Sequence, residues 1–169
     1  AMAFGTGHHG TTLGCLLAFD RLLGKGHIFN TVLDLGCGTA VLAMAAARTS
    51  SVNVIASDID PIAVEVANAN IKANSLCDHV RCFESIGFNA SELLEAAPFD
   101  LIFANILKGP LINLAPAMAE HLNIGGIAIL SGILIEQAAE ITAIYKTHGI
   151  TLLEREDMGE WTALTLLRG

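Results

Sequence analysis

No run of basic residues interrupts this chain: nine lysines and arginines stand against 17 acids, giving a formal net charge of −8. Tracking a phosphate backbone needs clustered cations, so direct nucleic-acid binding is not expected, whereas a basic partner gains in electrostatic encounter. No membrane span is expected either. Apolar residues make up 53% of the chain, yet the longest charge-free stretch, Ala1 to Phe19, holds four glycines, three threonines and two histidines. A spanning helix or a signal-peptide core would not tolerate that mixture. The next such stretch, fifteen residues between Glu120 and Glu136, is cut by Gly125-Gly126. Metal and redox spacings are missing too: Cys15, Cys37, Cys77 and Cys82 form no CxxC pair, and they read as small buried hydrophobes in a reducing compartment. The expected setting is the cytoplasm, with no metal. Also absent is an initiator methionine at position 1; "AMAFGTG" reads as the trimmed end of something longer or a tag remnant.

What is present fits one α/β domain over residues 1–169. Thr11 to Gly26 reads as a helix with Leu13, Leu16, Leu17 and Leu23 in a stripe. "TVLDLG" is a short apolar strand, followed by an alanine-rich helix from about Thr39 to Arg48. "NVIASD" is the second strand, and Asp60-Pro61 supplies a cap and a first-turn proline for the helix after it. His79 to Ser85 is a weaker strand, and Phe99 to Ile106 a strong buried one. Pro110 and Pro116 each suit a helix start, so the stretch to Leu122 reads as one broken helix or two. "GGIAILSGI" is another interior strand. Leu134, Ala138, Ile141 and Tyr145 then share one face of a helix that stops at Gly149. "ITLLERE" and "WTALTLLR", joined by "DMGE", close the chain as a hairpin. Alternating strands and helices predict a mostly parallel sheet covered on both faces, with an antiparallel strand at or near one edge.

The first strand runs into "DLGCGTA", a glycine turn opening a helix. In such sheets ligands sit at the carboxyl ends of strands, and Gly36 and Gly38 let backbone approach a ligand closely. A dinucleotide fingerprint would require glycine where Val41 stands, and the Gly-Lys-Ser/Thr ending of a triphosphate loop is missing. Asp58, 22 residues after Gly36 at the end of the second strand, is placed to accept hydrogen bonds from ribose hydroxyls. The combination describes a nucleoside without a pyrophosphate, and S-adenosylmethionine satisfies it. The alternative is a tight turn and a capping aspartate in a non-binding fold.

Further stretches, "AFGTGHHGTT" at 3–12, "FDLIFANILKGPLINLAP" at 99–116, "LSGIL" at 130–134 and Glu160-Trp161, accompany "DLGCGTA" and "DIDP" in order along nearly the whole chain. Together they resemble the ribosomal protein L11 methyltransferase family. The resemblance implies a Rossmann-like class I methyltransferase sandwich using S-adenosylmethionine to methylate lysine side chains and an N-terminal amine of a large-subunit ribosomal protein. It implies cofactor contacts at Thr12, Gly36, Asp58 and Asn105, beside the Gly38 read from the turn. The family's separate substrate-recruiting domain has no counterpart here, so the chain reads as the catalytic domain alone. Ala40 replaces the usual third glycine of the turn, Gly10 replaces a proline, and two histidines, His8 and His9, stand where one is usual.

Methyl transfer from a sulfonium is an in-line displacement needing alignment and a neutral amine. A free lysine is neutral only about once in 2,500 at pH 7, an α-amine about a tenth of the time. An adjacent sulfonium lowers a lysine's pKa, whereas a carboxylate raises it. Glu154, Glu156, Asp157 and Glu160 are therefore assigned solvation or attraction of a basic substrate, not base catalysis. Asn105, at the carboxyl edge of its strand, is the candidate for orienting amine and cofactor together without adding charge; pure cofactor contact or loop capping is the other reading. Thr12 either caps its helix or meets the cofactor carboxylate. Asp60 reads as a helix cap, Lys108 as exposed, and Trp161 as a packed aromatic or a wall of the amine channel. His8 and His9 belong to a glycine-rich lid, since no third metal ligand lies nearby. Competing functions are a methyltransferase acting on another protein lysine or a small amine, and a cofactor-binding module without catalysis.

Overall fold

A computed structural model describes residues 10–49 and 53–169. Seven strands form one sheet: β1 (Thr31–Leu35), β2 (Asn53–Asp58), β3 (Val80–Glu84), β4 (Phe99–Asn105), β5 (Leu122–Leu134), β6 (Ile150–Met158) and β7 (Trp161–Arg168), in the order β3-β2-β1-β4-β5-β7-β6. β1 to β5 run parallel, and β7 alone is inserted antiparallel between β5 and β6. The expected closing hairpin is present, with its antiparallel strand second from the edge.

Helices α1 (Gly10–Gly24), α2 (Val41–Thr49) and α3 (Pro61–Ala73) bury one face of the sheet, and α4 (Ser91–Ala96), α5 (Lys108–His121) and α6 (Ala138–Thr147) the other. Strands β1 and β4 are buried along nearly their whole length because both of their faces are covered. The chain winds from β1 outward to β3, then returns to the far side of β1 as β4. The switch point therefore lies between the carboxyl ends of β1 and β4, where open α/β sheets form their clefts. Among the described residues no helix is long and apolar enough to cross a membrane.

Several expectations need correction. The buried stripe of α1 is Cys15, Ala18, Phe19 and Leu22, whereas Leu13 and Leu17 are exposed. Gly14 also faces inward, where the helix lies close against the sheet: a Cβ on it would stand 3.1 Å from that of Ala163. The stretch after β4 is one helix, with Pro110 in its first turn, where a missing N–H costs nothing, and Pro116 inside it. Helix α4 was not anticipated. Strand β5 starts earlier than expected, at Leu122, and runs through the paired glycines. Of the four cysteines only Cys77, in the turn between α3 and β3, is exposed. Asp60 is the helix cap that the sequence implies: its Oδ1 accepts the Ile62 amide at 2.9 Å, and Pro61 opens α3.

Candidate active site

A cavity of about 570 Å³ opens at the switch point. Gly36, Gly38, Asp58 and Asn105 all line it. Gly36 (φ +69°) requires its missing side chain, since a Cβ there would lie 2.6 Å from Ile106 Cγ2. The turn is pinned to β2 by the Cys37 amide, which donates to the Ser57 carbonyl at 2.8 Å. Ala40, at the third-glycine position, sits at φ +65° with its methyl fully buried, a conformation that non-glycine residues pay to adopt.

Asp58 holds the turn and faces the cavity. Its Oδ2 accepts the Gly38 amide and its Oδ1 the Asp60 amide, each at 3.0 Å. An ionised carboxylate has about four acceptor sites, so two remain for a ligand.

Asn105 ends β4 and is 6% exposed. Its Nδ2 donates to Thr12 Oγ1 at 3.2 Å, which leaves Oδ1 without a hydrogen-bond partner among the described residues. Thr12 is not a helix cap: it lies inside α1, fully buried, and anchors the asparagine. The loop after Asn105 is held against β5, where the Ile106 amide donates to the Ser131 carbonyl at 3.2 Å. Gly132 (φ +83°) permits this approach, as a Cβ there would stand 2.6 Å from the Ile106 carbonyl oxygen.

Sequence reasoning assigned no role to Asp34, a buried acid on β1. Its Oδ2 accepts the Ala43 amide at 3.0 Å, doing for the third residue of α2 what a capping side chain normally does. Burial pushes its pKa up to about 7, the Ala43 bond opposes this, and the negative charge of Asp58 adds to it. Beside the turn, the Cys37 and Cys82 sulfurs are 3.7 Å apart. The neighbouring Cys82 thiol and burial both hold Cys37 protonated, and burial pushes Cys15 up to about 12.

Other expected residues fall elsewhere. Glu154 and Glu156 pair with Arg21, Glu154 also with Lys25, and Asp157 with Arg155, so these acids are largely neutralised along β6. Lys108 pairs with Glu140 at 2.9 Å. Trp161 packs beside the start of α1, where a Cβ on Gly10 would lie 3.5 Å from its ring. His8 and His9 lie outside the described residues. Among the described residues no group of three or more potential ligands is gathered for a metal.

The cavity suits a cationic nucleoside. Among the described residues no lysine or arginine lines it, Asp58 and Asp60 do, and Leu107, Pro110 and Leu114 offer an apolar wall to a flat base. Fold and cleft together define a Rossmann-like sandwich of the class I methyltransferase type. An RNA methyltransferase from Salinibacter ruber, solved with S-adenosyl-L-homocysteine, shares this fold at a TM-score of 0.68 and 19% identity, over 90% of both chains. The model of the family described as ribosomal protein L11 methyltransferase (PrmA) matches residues 1–168, and the chain belongs to that family. It is 49% identical, over 98% of its length, to the ribosomal protein L11 methyltransferase of Bradyrhizobium diazoefficiens, and it spans 56% of that relative. The crystal structure of a ribosomal protein L11 methylase from Lactobacillus delbrueckii subsp. bulgaricus superposes with a TM-score of 0.87 at 29% identity, over 99% of this chain and 81% of the other.

Proposed function

We propose that residues 1–169 form the single catalytic domain of an S-adenosylmethionine-dependent protein N-methyltransferase. Its acceptors are lysine side-chain or N-terminal amines of a basic large-subunit ribosomal protein, and it works in the cytoplasm. S-adenosylmethionine, when bound, supplies an electrophilic methyl group on a sulfonium. Asp58 accepts the ribose hydroxyls through its two remaining acceptor sites. Gly36 and Gly38 bring backbone against the ligand. Thr12 fixes the Asn105 amide by accepting its N–H, at the side of the cofactor site.

The observation that carries this reading is the free Oδ1 of Asn105. A buried amide oxygen without a donor costs about 1–3 kcal/mol. Here it is aimed by a neighbour that occupies the other end of the same amide. An incoming amine would donate an N–H to it, directing the nitrogen lone pair at the methyl carbon. Because the amide is neutral, it does this without stabilising the unreactive ammonium, as a carboxylate would. Family membership supports the acceptor class.

The test is transfer of isotopically labelled methyl to purified ribosomal proteins by a full-length version, with the modified residues located by mass spectrometry. Label on lysine or N-terminal amines of one large-subunit protein is expected. Uptake of cofactor without transfer to any protein would leave a binding module in place of an enzyme.

A further inference from the structure

Two buried side-chain oxygens lack a hydrogen-bond partner among the described residues: Asn105 Oδ1 and Ser57 Oγ. Both residues line the one cavity at the switch point, from the ends of β4 and β2, the two strands that flank β1. Folded proteins leave few such groups, and those they leave call for an explanation. The amine-orienting role accounts for the first. Nothing yet accounts for the second.

Ser57 is completely buried. Its backbone carbonyl is taken by the Cys37 amide, but its hydroxyl stands alone. Two residues earlier, Ile55 belongs to the core beneath α4 and α5, and the alternation of a strand puts the Ser57 side chain on that same face. There the cavity wall consists of Leu35, Ile106, Leu107, Pro110 and Leu114, a surface suited to the plane of an aromatic base. Ser85 is the other hydroxyl on the wall, and it is fully engaged: its Oγ donates to the Gly87 carbonyl at 2.8 Å and accepts the Ala90 amide at 3.1 Å. With Asp58 on the sugar, Ser57 is the hydroxyl left to meet the base.

We propose that the Ser57 hydroxyl is a further ligand contact, hydrogen bonding to the edge of the adenine ring; this rests on the adenosyl reading of the cavity. The residue is then a hydroxyl kept unpaired in the core for a partner that arrives with the ligand. Such a group trades stability of the empty protein for affinity.

The test compares wild type with Ser57→Ala, using calorimetry with S-adenosylhomocysteine and with 5′-methylthioadenosine, which shares the adenosine but lacks the amino-acid end. Thermal melting of each ligand-free protein accompanies it. One neutral hydrogen bond corresponds to a loss of about three- to tenfold. That loss is expected equally for both ligands, while the ligand-free variant melts at the same temperature as wild type or higher. Unchanged affinity for both ligands overturns the contact, and so does a loss confined to S-adenosylhomocysteine. Should wild type bind neither ligand, the adenosyl reading itself fails and the Ser57 contact falls with it.

Discussion

The Asn105 amide donates to the hydroxyl of Thr12, 93 residues earlier in the chain, and both side chains are buried. This single bond decides which end of the amide faces the cavity. Two elements distant in sequence, the first turns of α1 and the last residue of β4, therefore set one chemical orientation.

Thr12→Val keeps the shape and removes the acceptor. Leaving the Asn105 NH2 group unpaired should lower stability by about 1–3 kcal/mol. Methyl transfer should slow as well, since the amide can then turn over. Urea unfolding together with the labelled-methyl assay measures both effects, and a normal rate would show that the bond does not orient the amide.

Asn105→Ala separates orientation from binding. Turnover should fall by about 100-fold, the scale of a lost alignment, while cofactor affinity falls far less. Equal losses in the two measurements would assign Asn105 to cofactor contact alone.

Asp58→Ala should weaken binding of S-adenosylhomocysteine by about 1.5–3 kcal/mol, the value of a charge-assisted hydrogen bond. The variant also releases the Gly38 and Asp60 amides, so some loss of stability accompanies it. Calorimetry showing wild-type affinity would place the ribose elsewhere.

Gly132→Ala should cost about 2–4 kcal/mol, because a left-handed backbone and a contact with the Ile106 carbonyl are both strained by one methyl. The displaced loop carries Ile106 and Leu107 into the cavity, so affinity for the cofactor drops alongside the melting temperature. An alanine variant with unaltered binding would show that this loop does not shape the pocket.

Asp34 gives the protein a pH dependence of definite sign. Its folded pKa is raised to about 7 from an ordinary value of about 3.9. A raised acid favours the protonated folded state, so its contribution is fully present below about pH 4 and is lost as pH rises to about 7, remaining absent above. Asp34→Asn retains an acceptor for Ala43 and removes this titration. Denaturant midpoints at pH 5 and pH 8 should therefore show wild type losing stability relative to the variant at the higher pH; a constant difference would refute the shift.

Much of this architecture was readable because the chain punctuates it locally. Asp60-Pro61 marks the start of α3, and Asp58 stands at a telling distance from Gly36. Readings failed where long-range packing overrides local pattern. The leucines of α1 form a plausible stripe, but the buried face centres on Cys15, Ala18, Phe19 and Leu22, which leaves Leu13 and Leu17 exposed and Leu16 and Leu23 at its margins. Six residues, SELLEA, are too few to display a helical period. Asp34 hides in "TVLDLG" because its meaning depends on an amide nine residues away, brought near by the glycine turn. Ser57, in the same way, looks like any serine in a strand until its neighbours are found to offer it nothing.

The exposed thiol of Cys77 makes the wild-type chain ready for spectroscopy. It stands at the opposite end of the sheet from the cleft, while the other three thiols are at most 9% exposed. A maleimide fluorophore or spin probe would thus attach at one place without mutagenesis, reporting tumbling and partner engagement while the cleft stays untouched.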